Sequence, residues 1–491
     1  MGAVSLYSVD QIRRLERHAI EQAGIPGSEL MERAGTQALA VLRARWPRAQ
    51  RLAILCGLGN NAGDGFVLAR LARAAGLDAR VLQVGDPERL GGDARLNQGR
   101  WQAEGGPTEP WAGEIGEADV VVDALFGIGL DRPVEGVWAE VVAAINAHPA
   151  PILALDVPSG LQADSGRILG TAVEASLTTT FIADKAGFFT ADGPDCVGET
   201  QVCDLDLRVD AEVAGAPVAE GLGAELVSLL PRRRKNSHKG TYGHVLVVGG
   251  NRGMAGAARM AAEGALRAGA GLVSVATHPD NAATLGAGRP ELMVHGVDDE
   301  RSLLRLLGKA DVLVIGPGLG LDGWTRMVWR NALEAELPTV ADADALALLS
   351  PNRQLAAPWV MTPHPGEAHR MLSAAGSPAL EDRYALVREL QEHFGGVMVL
   401  KGCGTLVDDG RGPVGVCHAG NPGMATGGMG DILTGIIGAL MGQGLSASQA
   451  ARLGVWSHAN AADQAAEDGE RGLLPLDILP YLRCLLDGRA A

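Results

Sequence analysis

The sequence predicts an α/β protein in which two different three-layer αβα domains follow one another along the chain. Short apolar runs alternate with amphipathic segments in both halves, an order typical of parallel sheets with helices on both faces. The alternation stops once, at residues 211–224, which are rich in alanine, glycine and valine. A chain of 491 residues is long enough for two or three domains. We therefore expect a domain over 1–210, a linker over 211–224 and a second domain over 225–491.

Composition restricts the classes of partner. The net charge of −16 argues against nucleic acid and anionic membranes, and the aromatic content of 4% leaves few side chains for stacking on bases. No uninterrupted apolar stretch is long enough to span a bilayer, and the N-terminus lacks the apolar core of a signal peptide. The six cysteines form no CxxC pair, which favours free thiols in a reducing cytoplasm. We expect small-molecule partners.

The first half begins with a helix and continues with four buried strands. Ser8 and Gln11 form a candidate capping box, and Ile12, Leu15 and Ala19 follow as an apolar stripe. Further helices are predicted at 66–76 and 133–147. The strands are predicted at 51–57, 79–85, 119–125 and 151–157. In parallel sheets, ligands bind beyond the carboxyl ends of the strands.

The second half resumes the same rhythm without repeating the first at a fixed period. Its apolar runs predict strands at 243–250, 271–277, 310–318, 338–344, 359–367 and 396–402. The two halves are therefore predicted to be different α/β domains.

Polar residues follow several strands of the first half. The segment CGLGNNAGDGF (56–66) is either an anion-binding turn at a helix start or a plain strand–helix turn. It departs from the dinucleotide pattern G-x-G-x-x-G, and its amides and Asp64 suggest oxygen ligands for a cation or contacts to hydroxyl groups. Asp123, Asp156, Ser159 and Lys185 lie at three further strand ends. We expect them to converge on one cleft.

Four segments of this half carry a resemblance to a known family. They read GNNAGDG (59–65), DALFGIGL (123–130), DVPSG (156–160) and FIADKAG (181–187). The epimerase domain of NAD(P)H-hydrate repair enzymes has GNNGGDG, D-A-[LI]-[FL]-G-x-G-L, D-[VI]-P-S-G and F-x-x-x-K-x-G. The first half resembles that domain, which implies a Rossmann-like fold. Ala62 stands where glycine is usual, and alanine tolerates most such turns.

The resemblance implies roles for individual residues. Asp156, with Lys185 nearby, is the candidate for proton transfer at C6 of the hydrated nicotinamide. A potassium ion would be held by Asn61, Asp123 and Ser159. The hydrate would be bound by Asn60, Asn61, Ala62, Gly63, Asp64, Gly127, Ile128, Gly129, Leu130, Asp131, Arg132, Pro133 and Asp156.

The segment NPGMATGGMGD (421–431) has a different chemistry. Backbone N–H groups of its glycine turn, at the start of a helix, can hold a phosphate. A carboxylate, Asp431, ends the turn where a phosphate-binding loop often has lysine. A carboxylate there could deprotonate a hydroxyl that attacks the phosphate. The alternative is that Asp431 only caps the helix.

Five ordered motifs resemble the dehydratase domain of the same repair system, within the ribokinase-like superfamily. They read HKGTYGHVLVVGG (238–250), GPGLG (316–320), TPHPGE (362–367), KGCGT (401–405) and GNPGMATGGMGDILTG (420–435). The resemblance implies that Ala257, Gly318, His364 and Asp431 contact the hydrate. It also implies that the adenine nucleotide is contacted by Lys401, Gly402, Cys403, Gly404, Thr405 and Gly430.

The implied activity is bifunctional repair of hydrated NADH and NADPH. The first domain would interconvert R and S hydrates, and the second would phosphorylate the hydroxyl of the S form with ADP or ATP and eliminate phosphate. Mg²⁺ is expected with the nucleotide, with Glu367 either near it or serving as a helix-start residue. The alternatives are a small-molecule alcohol kinase fused to a ligand-binding domain, and a non-catalytic nucleotide sensor. A homo-oligomer is expected because both domain types often self-associate.

Overall fold

The computed structural model describes residues 4–352 and 357–488. They divide into two compact units, one of Ser5–Ala219 and one of the residues from Glu220 onward together with Val4. The division falls inside the predicted linker segment, 211–224. Nowhere in the described ranges is a helix both long and apolar enough to cross a lipid bilayer.

The first unit is built on a fully parallel sheet. Its strand order is β4-β3-β2-β5-β6-β7-β8. The elements in chain order are β1 (Ser5–Leu6), α1 (Val9–Glu21), α2 (Gly27–Arg45), β2 (Arg51–Cys56), α3 (Asn60–Ala74), β3 (Asp78–Gln83), α4 (Gly92–Ala103), β4 (Thr108–Pro110), β5 (Val120–Ala124), α5 (Val137–Asn146), β6 (Ile152–Leu155), β7 (Leu177–Phe181), α6 (Gly193–Val197), β8 (Glu199–Cys203) and α7 (Ala211–Ala214).

Alternate residues of the central strands enter two separate cores. Leu52 and Ile54 pack with α1 to α4 on one face of the sheet, and Ala53 and Leu55 pack with α5 on the other. This confirms the predicted three-layer arrangement, and all four predicted strands are present. The capping box of Ser8 and Gln11 is also confirmed.

The glycine-rich segment after β2 differs from the prediction. It is helical from Asn60, six residues before the predicted helix start, because Gly59 takes the extended N-cap position and small residues follow. A Cβ on Gly63 would lie 2.4 Å from the Met31 sulfur, and one on Gly65 would lie 2.7 Å from the Ala124 Cβ. These glycines let α3 approach both α2 and the sheet closely.

The second unit has a mixed sheet. From β18 to β12 the strand order is β18-β17-β16-β15-β14-β13-β10-β11-β12. The elements are β9 (Ala219–Gly221), β10 (His244–Val248), α8 (Ala255–Arg267), β11 (Leu272–Thr277), α9 (Pro279–Ala287), β12 (Met293–Gly296), α10 (Glu300–Leu307), β13 (Val312–Ile315), α11 (Gly323–Glu334), β14 (Thr339–Ala341), β15 (Trp359–Met361), α12 (Pro365–Ala375), α13 (Arg383–Phe394), β16 (Val397–Leu400), β17 (Thr405–Asp408), β18 (Val414–Cys417), α14 (Met429–Gly442), α15 (Ala447–Ala465) and α16 (Leu479–Leu486).

All six predicted strands of this half are present. Together with β12, which was not predicted, they form the parallel part of the sheet. β17 and β18 add to it antiparallel to their neighbours. The prediction missed this hairpin because its strands are short and lie next to a glycine turn.

Helices α8 and α14 make the closest helix contact of this unit's core. A Cβ on Gly435 would lie 1.8 Å from the Ala261 carbonyl oxygen, and one on Gly264 would lie 2.6 Å from the Ile432 carbonyl oxygen. The two backbones therefore touch directly, as only glycine allows at these positions. This contact sets the position of the first turn of α14, where Asp431 lies.

We expect Gly435→Ala to lower the free energy of unfolding by about 1–3 kcal/mol or more, because the added methyl group must push α8 and α14 apart. Guanidinium denaturation measures the loss. Gly256→Ala in α8 is the matched control, since a Cβ there meets nothing within 4 Å, and it should be neutral or stabilise by about 0.5–1 kcal/mol. Equal stabilities of the two variants would contradict the backbone contact.

Candidate active sites

The first unit encloses a cavity of about 480 Å³ beside α3 and the carboxyl ends of β5 and β6. Most of the residues predicted to bind the hydrate line it. They are Asn60, Asn61, Asp64, Gly127, Ile128, Gly129, Leu130, Asp131, Arg132 and Asp156. Of the four predicted strand-end residues, Asp156 lines the cavity; the buried Lys185 is bonded to it, and Asp123 and Ser159 are bonded to each other.

Three other predicted residues lie outside the cavity lining. Ala62 and Gly63 are buried in α3, because the helix begins at Asn60 and turns them into the core. Pro133 lies just beyond the lining loop 127–132 and is exposed.

Asp156 and Lys185 form an ion pair at the cavity. The Lys185 ammonium donates to Asp156 Oδ1 at 2.8 Å, to Thr180 Oγ1 at 2.6 Å and to the Phe181 carbonyl at 2.9 Å, and its side chain is fully buried. The other oxygen of Asp156 accepts from the Ile128 amide at 3.2 Å. Asp156 has φ +65°, a left-handed conformation that non-glycine residues adopt uncommonly. The pair holds a carboxylate oriented towards the cavity.

Asn61, Asp123 and Ser159 form a buried cluster of oxygen atoms. The Ser159 hydroxyl donates to Asp123 Oδ1 at 2.7 Å and accepts from the Phe126 amide at 2.9 Å. Asn61 Nδ2 donates to the Phe126 carbonyl at 2.8 Å, while its buried Oδ1 has no hydrogen-bond partner among the described residues. Burial raises the pKa of Asp123 to about 6, although the hydrogen bonds that it accepts from Ser159 and Leu125 act to lower the pKa.

This donor set fits an alkali cation. Carboxylate, hydroxyl and amide oxygens are hard ligands. Asn61 Oδ1 has no hydrogen-bond partner among the described residues, and a buried polar atom without a partner is energetically costly. A cation bound there would supply that partner. The three residues that the sequence predicted for potassium therefore lie together.

The first helix contributes cavity residues that the sequence prediction missed. Ile12, Arg13, Glu16 and Ile20 of α1 line the cavity. Burial and the nearby Asp156 raise the pKa of Glu16, against Arg13 and Lys185. The helical spacing was visible in the sequence, but nothing there showed what α1 faces.

Burial also raises the pKa of Asp64 well above its usual range, with Asp156 and Glu16 adding to the effect. The cavity therefore holds carboxyl groups of different basicity, an arrangement common at sites of proton transfer.

The second unit gathers its predicted residues at the carboxyl edge of its sheet. Lys401 follows β16, and Asp342 follows β14. The Lys401 ammonium lies 2.7 Å from Asp342 Oδ1, and the other oxygen of Asp342 accepts from the Thr434 hydroxyl at 2.8 Å. Burial alone would raise the pKa of Asp342, but the Lys401 charge and these hydrogen bonds outweigh it and lower the pKa.

Asp431 lies in the first turn of α14, beside this pair. Gly428, with φ +103°, is the N-cap, and α14 has no side-chain cap, so the alternative that Asp431 caps the helix is wrong. Burial and the charge of Asp342 raise the pKa of Asp431 to about 7, against Lys401. The first N–H groups of a helix have no partner within it. A carboxyl group with a pKa near neutral thus stands next to a helix start of the kind that can bind an anion.

Gly430 brings the turn close to Lys401 and Asp342, immediately before the Asp431 carboxylate. A Cβ at this position would lie 3.2 Å from the Lys401 ammonium nitrogen and 3.5 Å from Asp342 Oδ2. Two of the predicted nucleotide-binding residues, Lys401 and Gly430, are therefore close neighbours. The other four, Gly402, Cys403, Gly404 and Thr405, lie in and after the turn that joins β16 to β17.

The remaining predicted residues occupy the same edge of the sheet. Ala257 and Gly318 are adjacent, since a Cβ on Gly318 would lie 3.2 Å from the Ala257 Cβ. His364 caps α12, and Glu367 completes the capping box by accepting from the His364 amide at 2.8 Å. Glu367 Oε2 also lies 4.0 Å from the Lys401 ammonium. Glu367 is therefore a helix-start residue that also reaches the site.

Sequence reasoning missed Asp342, Thr434 and Arg383. Asp342 lies near the end of the predicted strand 338–344 and directly follows the observed β14, so the strand-end rule applied to the first half would have found it. Arg383 lies beneath the 401–405 turn, with its guanidinium 3.2–3.4 Å from the carbonyl oxygens of Leu400, Lys401 and Gly404. No local pattern marks such a contact.

Comparisons with known proteins agree with this geometry. Residues 245–483 match the family model of NAD(P)H-hydrate dehydratase, and residues 27–187 match that of the YjeF-related protein N-terminus. The bifunctional NAD(P)H-hydrate repair enzyme Nnr of Coxiella burnetii is 48% identical over 487 residues, 98% of this chain and 99% of that protein. The chain belongs to the bifunctional NAD(P)H-hydrate repair enzymes.

Other similarities extend the assignment of this repair enzyme. The Escherichia coli K12 protein of the same name is 42% identical over 490 residues, 98% of this chain and 94% of that protein. The solved structure of a ribokinase-like superfamily protein from Enterococcus faecalis V583 is 31% identical to this chain, with a TM-score of 0.50. The match covers 55% of this chain and 95% of that protein. The predicted ribokinase-like fold of the second half is thereby confirmed. So is the predicted bifunctional activity, epimerase and nucleotide-dependent dehydratase, in preference to the kinase and sensor alternatives.

We expect Lys185→Met to lower the free energy of unfolding of the first unit by about 3–5 kcal/mol, because it leaves Asp156 buried and unpaired. The double variant Lys185→Met with Asp156→Asn, which removes the stranded charge, should recover part of that loss. Guanidinium denaturation measures both, and the exposed Lys235→Met is the control. A loss below about 0.5 kcal/mol, the range of ordinary surface substitutions, would mean that the pair does not stabilise the unit.

Proposed function

We propose that Asp431 is the general base of the dehydratase site. The C6 hydroxyl of the S hydrate attacks the terminal phosphoryl group of ADP or ATP while Asp431 accepts its proton, and the bond to the nucleotide's bridging oxygen breaks. The observation that carries this role is the placement of Asp431 in the first turn of α14, which has no side-chain cap and whose first N–H groups have no partner within the helix. These amides would stabilise the charge on the transferred group.

The phosphorylated hydrate then loses phosphate. Phosphate is a better leaving group than hydroxide, so the lone pair of the ring nitrogen can expel it as the C6–O bond breaks. Loss of a proton from C5 restores the dihydronicotinamide. The hydrate is proposed to lie against Ala257, Gly318 and His364.

The nucleotide is proposed to lie along the Lys401, Gly402, Cys403, Gly404 and Thr405 turn, with Gly430 leaving room for its phosphates. Mg²⁺ is usually bound by nucleotide phosphates together with one or two carboxylates, and Glu367 is the candidate carboxylate. When bound, Mg²⁺ would neutralise charge on the phosphates.

In the first domain we propose that Asp156, oriented by Lys185, exchanges protons with the hydrate during interconversion of its R and S forms. The hydrate is proposed to occupy the cavity of about 480 Å³, in contact with the loop 127–133 and the start of α3. Asn61, Asp123 and Ser159 would hold K⁺, which would supply a fixed positive charge for substrate oxygens.

Three sequence predictions remain proposals. The epimerase domain is proposed to span 1–210 and the dehydratase domain 225–491, joined by 211–224. The chain is proposed to form a homo-oligomer, which light scattering would detect, and to act in the cytoplasm.

We expect the dehydration rate at saturating substrate to rise with pH and level off above about 7, because only ionised Asp431 accepts a proton and its pKa is raised to about 7. Asp431→Asn should lose about 10²–10⁴-fold in rate. The return of reduced-nicotinamide absorbance from S hydrate with ADP or ATP measures dehydration. Interconversion of R and S hydrates should survive in this variant and is its control. An active Asp431→Asn enzyme would rule out the proposed base.

We expect K⁺ to raise the melting temperature of the protein more than Na⁺ or Li⁺ at equal ionic strength. A cation that binds only the folded state adds about 2.7 kcal/mol at about 100 times its dissociation constant. Asn61→Ala, which removes the amide oxygen that has no partner, should abolish the difference between the salts. Differential scanning calorimetry provides a readout independent of activity. Identical melting temperatures in all three salts would exclude the potassium site.

A further inference from the structure

Helix α1 forms a wall of the epimerase cavity. Its residues Ile12, Arg13, Glu16 and Ile20 face the cavity. Ile12 and Arg13 lie four and three positions before Glu16, and Ile20 lies four after it, so they share one side of the helix. The matched N-terminal family model begins at residue 27, so this wall precedes the matched region. Glu16 is the carboxyl group that α1 adds to the cavity.

The position of α1 is set by the segment that carries Lys185. The Tyr7 amide donates to the Asp184 carbonyl at 2.9 Å, and the Ala186 amide donates to the Tyr7 carbonyl at 3.1 Å. The Val9 amide at the start of α1 donates to Asp164 Oδ1 at 2.7 Å. Glu16 is therefore held at the cavity by a helix whose first residues are bonded to the neighbours of the Asp156–Lys185 pair.

Charged groups from several elements face Glu16. They are Arg13 on α1 itself, Asp64 on α3, Asp93 on α4, Asp156 after β6 and Lys185 after β7. Lys185 keeps its hydrogen bond to Asp156 at 2.8 Å, so Asp156 is the carboxylate of the cavity that has a buried cation. Burial and Asp156 raise the pKa of Glu16, which favours its protonated form.

Epimerisation at C6 requires proton transfer to and from oxygen on both faces of the ring. One group must protonate the hydroxyl that leaves, and another must accept a proton from the water that adds on the opposite face. A single carboxylate on one wall of the cavity can exchange protons with oxygen on only one face of the ring. Asp156 and Glu16 reach the cavity from different elements.

We propose that Glu16 is a second catalytic residue of the epimerase site, acting with Asp156 on the C6 hydroxyl; this role rests on the function proposed above for the first domain. Glu16 donates its proton as the C6–O bond breaks and water leaves, and the ring-nitrogen lone pair forms the C6=N bond. A water molecule then adds to the other face of C6 while the nitrogen recovers its lone pair, and Asp156 accepts the proton. In the reverse direction the two groups exchange roles.

Asp64 is the competing carboxyl group. It lies on α3, three residues after Asn61, and 9% of its surface is exposed, so it belongs to the wall of the oxygen cluster. Glu16 is less enclosed, so the two can be compared by matched substitutions.

The test follows R-to-S interconversion by the full-length enzyme across pH. Glu16→Gln should lower the rate at saturating substrate by about 10²-fold or more and remove the fall in rate that the unchanged enzyme shows as Glu16 deprotonates. Glu16→Asp should restore part of the rate. The exposed Glu21→Gln on the same helix is the matched control and should behave as the unchanged enzyme.

Dehydration of pure S hydrate should be unaffected in every variant, which shows that the second unit is folded, and an unchanged guanidinium unfolding transition shows the same for the first. An unchanged rate and pH profile in Glu16→Gln would overturn the proposal. So would the result that the fall in rate at high pH is lost in Asp64→Asn but kept in Glu16→Gln. If the unchanged enzyme does not interconvert the hydrates, the epimerase assignment itself fails, and the role of Glu16 falls with it.

Discussion

Both sites depend on a lysine ammonium that neutralises a desolvated aspartate at the carboxyl edge of a parallel sheet. In the first unit Lys185 pairs with Asp156 at 2.8 Å, and in the second Lys401 pairs with Asp342 at 2.7 Å. An unpaired carboxylate at such depth would cost several kcal/mol, or it would take up a proton. In the second unit the Lys401 charge and the hydrogen bonds to Asp342 lower the pKa of that carboxyl group, so it keeps its negative charge.

That fixed charge changes the behaviour of the carboxyl group beside it. Burial raises the pKa of Asp431, and the charge of Asp342 adds to the effect. In the first unit, burial and the nearby Asp156 raise the pKa of Glu16 in the same way. Each site thus combines a carboxylate held in an ion pair with a second carboxyl group whose pKa is raised. Separating the basicities of neighbouring carboxyl groups is a general way of assigning them different roles in proton transfer.

Glycine provides the close approaches that bring these groups together. Gly430 leaves room for the Lys401 ammonium beside the turn that carries Asp431, and Gly435 lets α14 pack directly on α8. The same elements that stabilise the core of the second unit therefore position its proposed base. The glycine-rich segments of the two sites, 59–65 and 420–431, differ in sequence. The first site is proposed to hold a cation and the second a transferred phosphoryl group.

The sequence by itself determined the α/β class, the predicted strands of the parallel sheets and the turns that carry Asp156, Lys185, Lys401 and Asp431. These follow from local periodicity and from the rule that ligands meet at the carboxyl ends of strands. Only the tertiary structure decided that Asp342 pairs with Lys401, that α1 carries Glu16 into the cavity, and that Ala62 and Gly63 turn into the core. Such relations join residues far apart in the chain, and they depend on how closely helices pack, which no local pattern records.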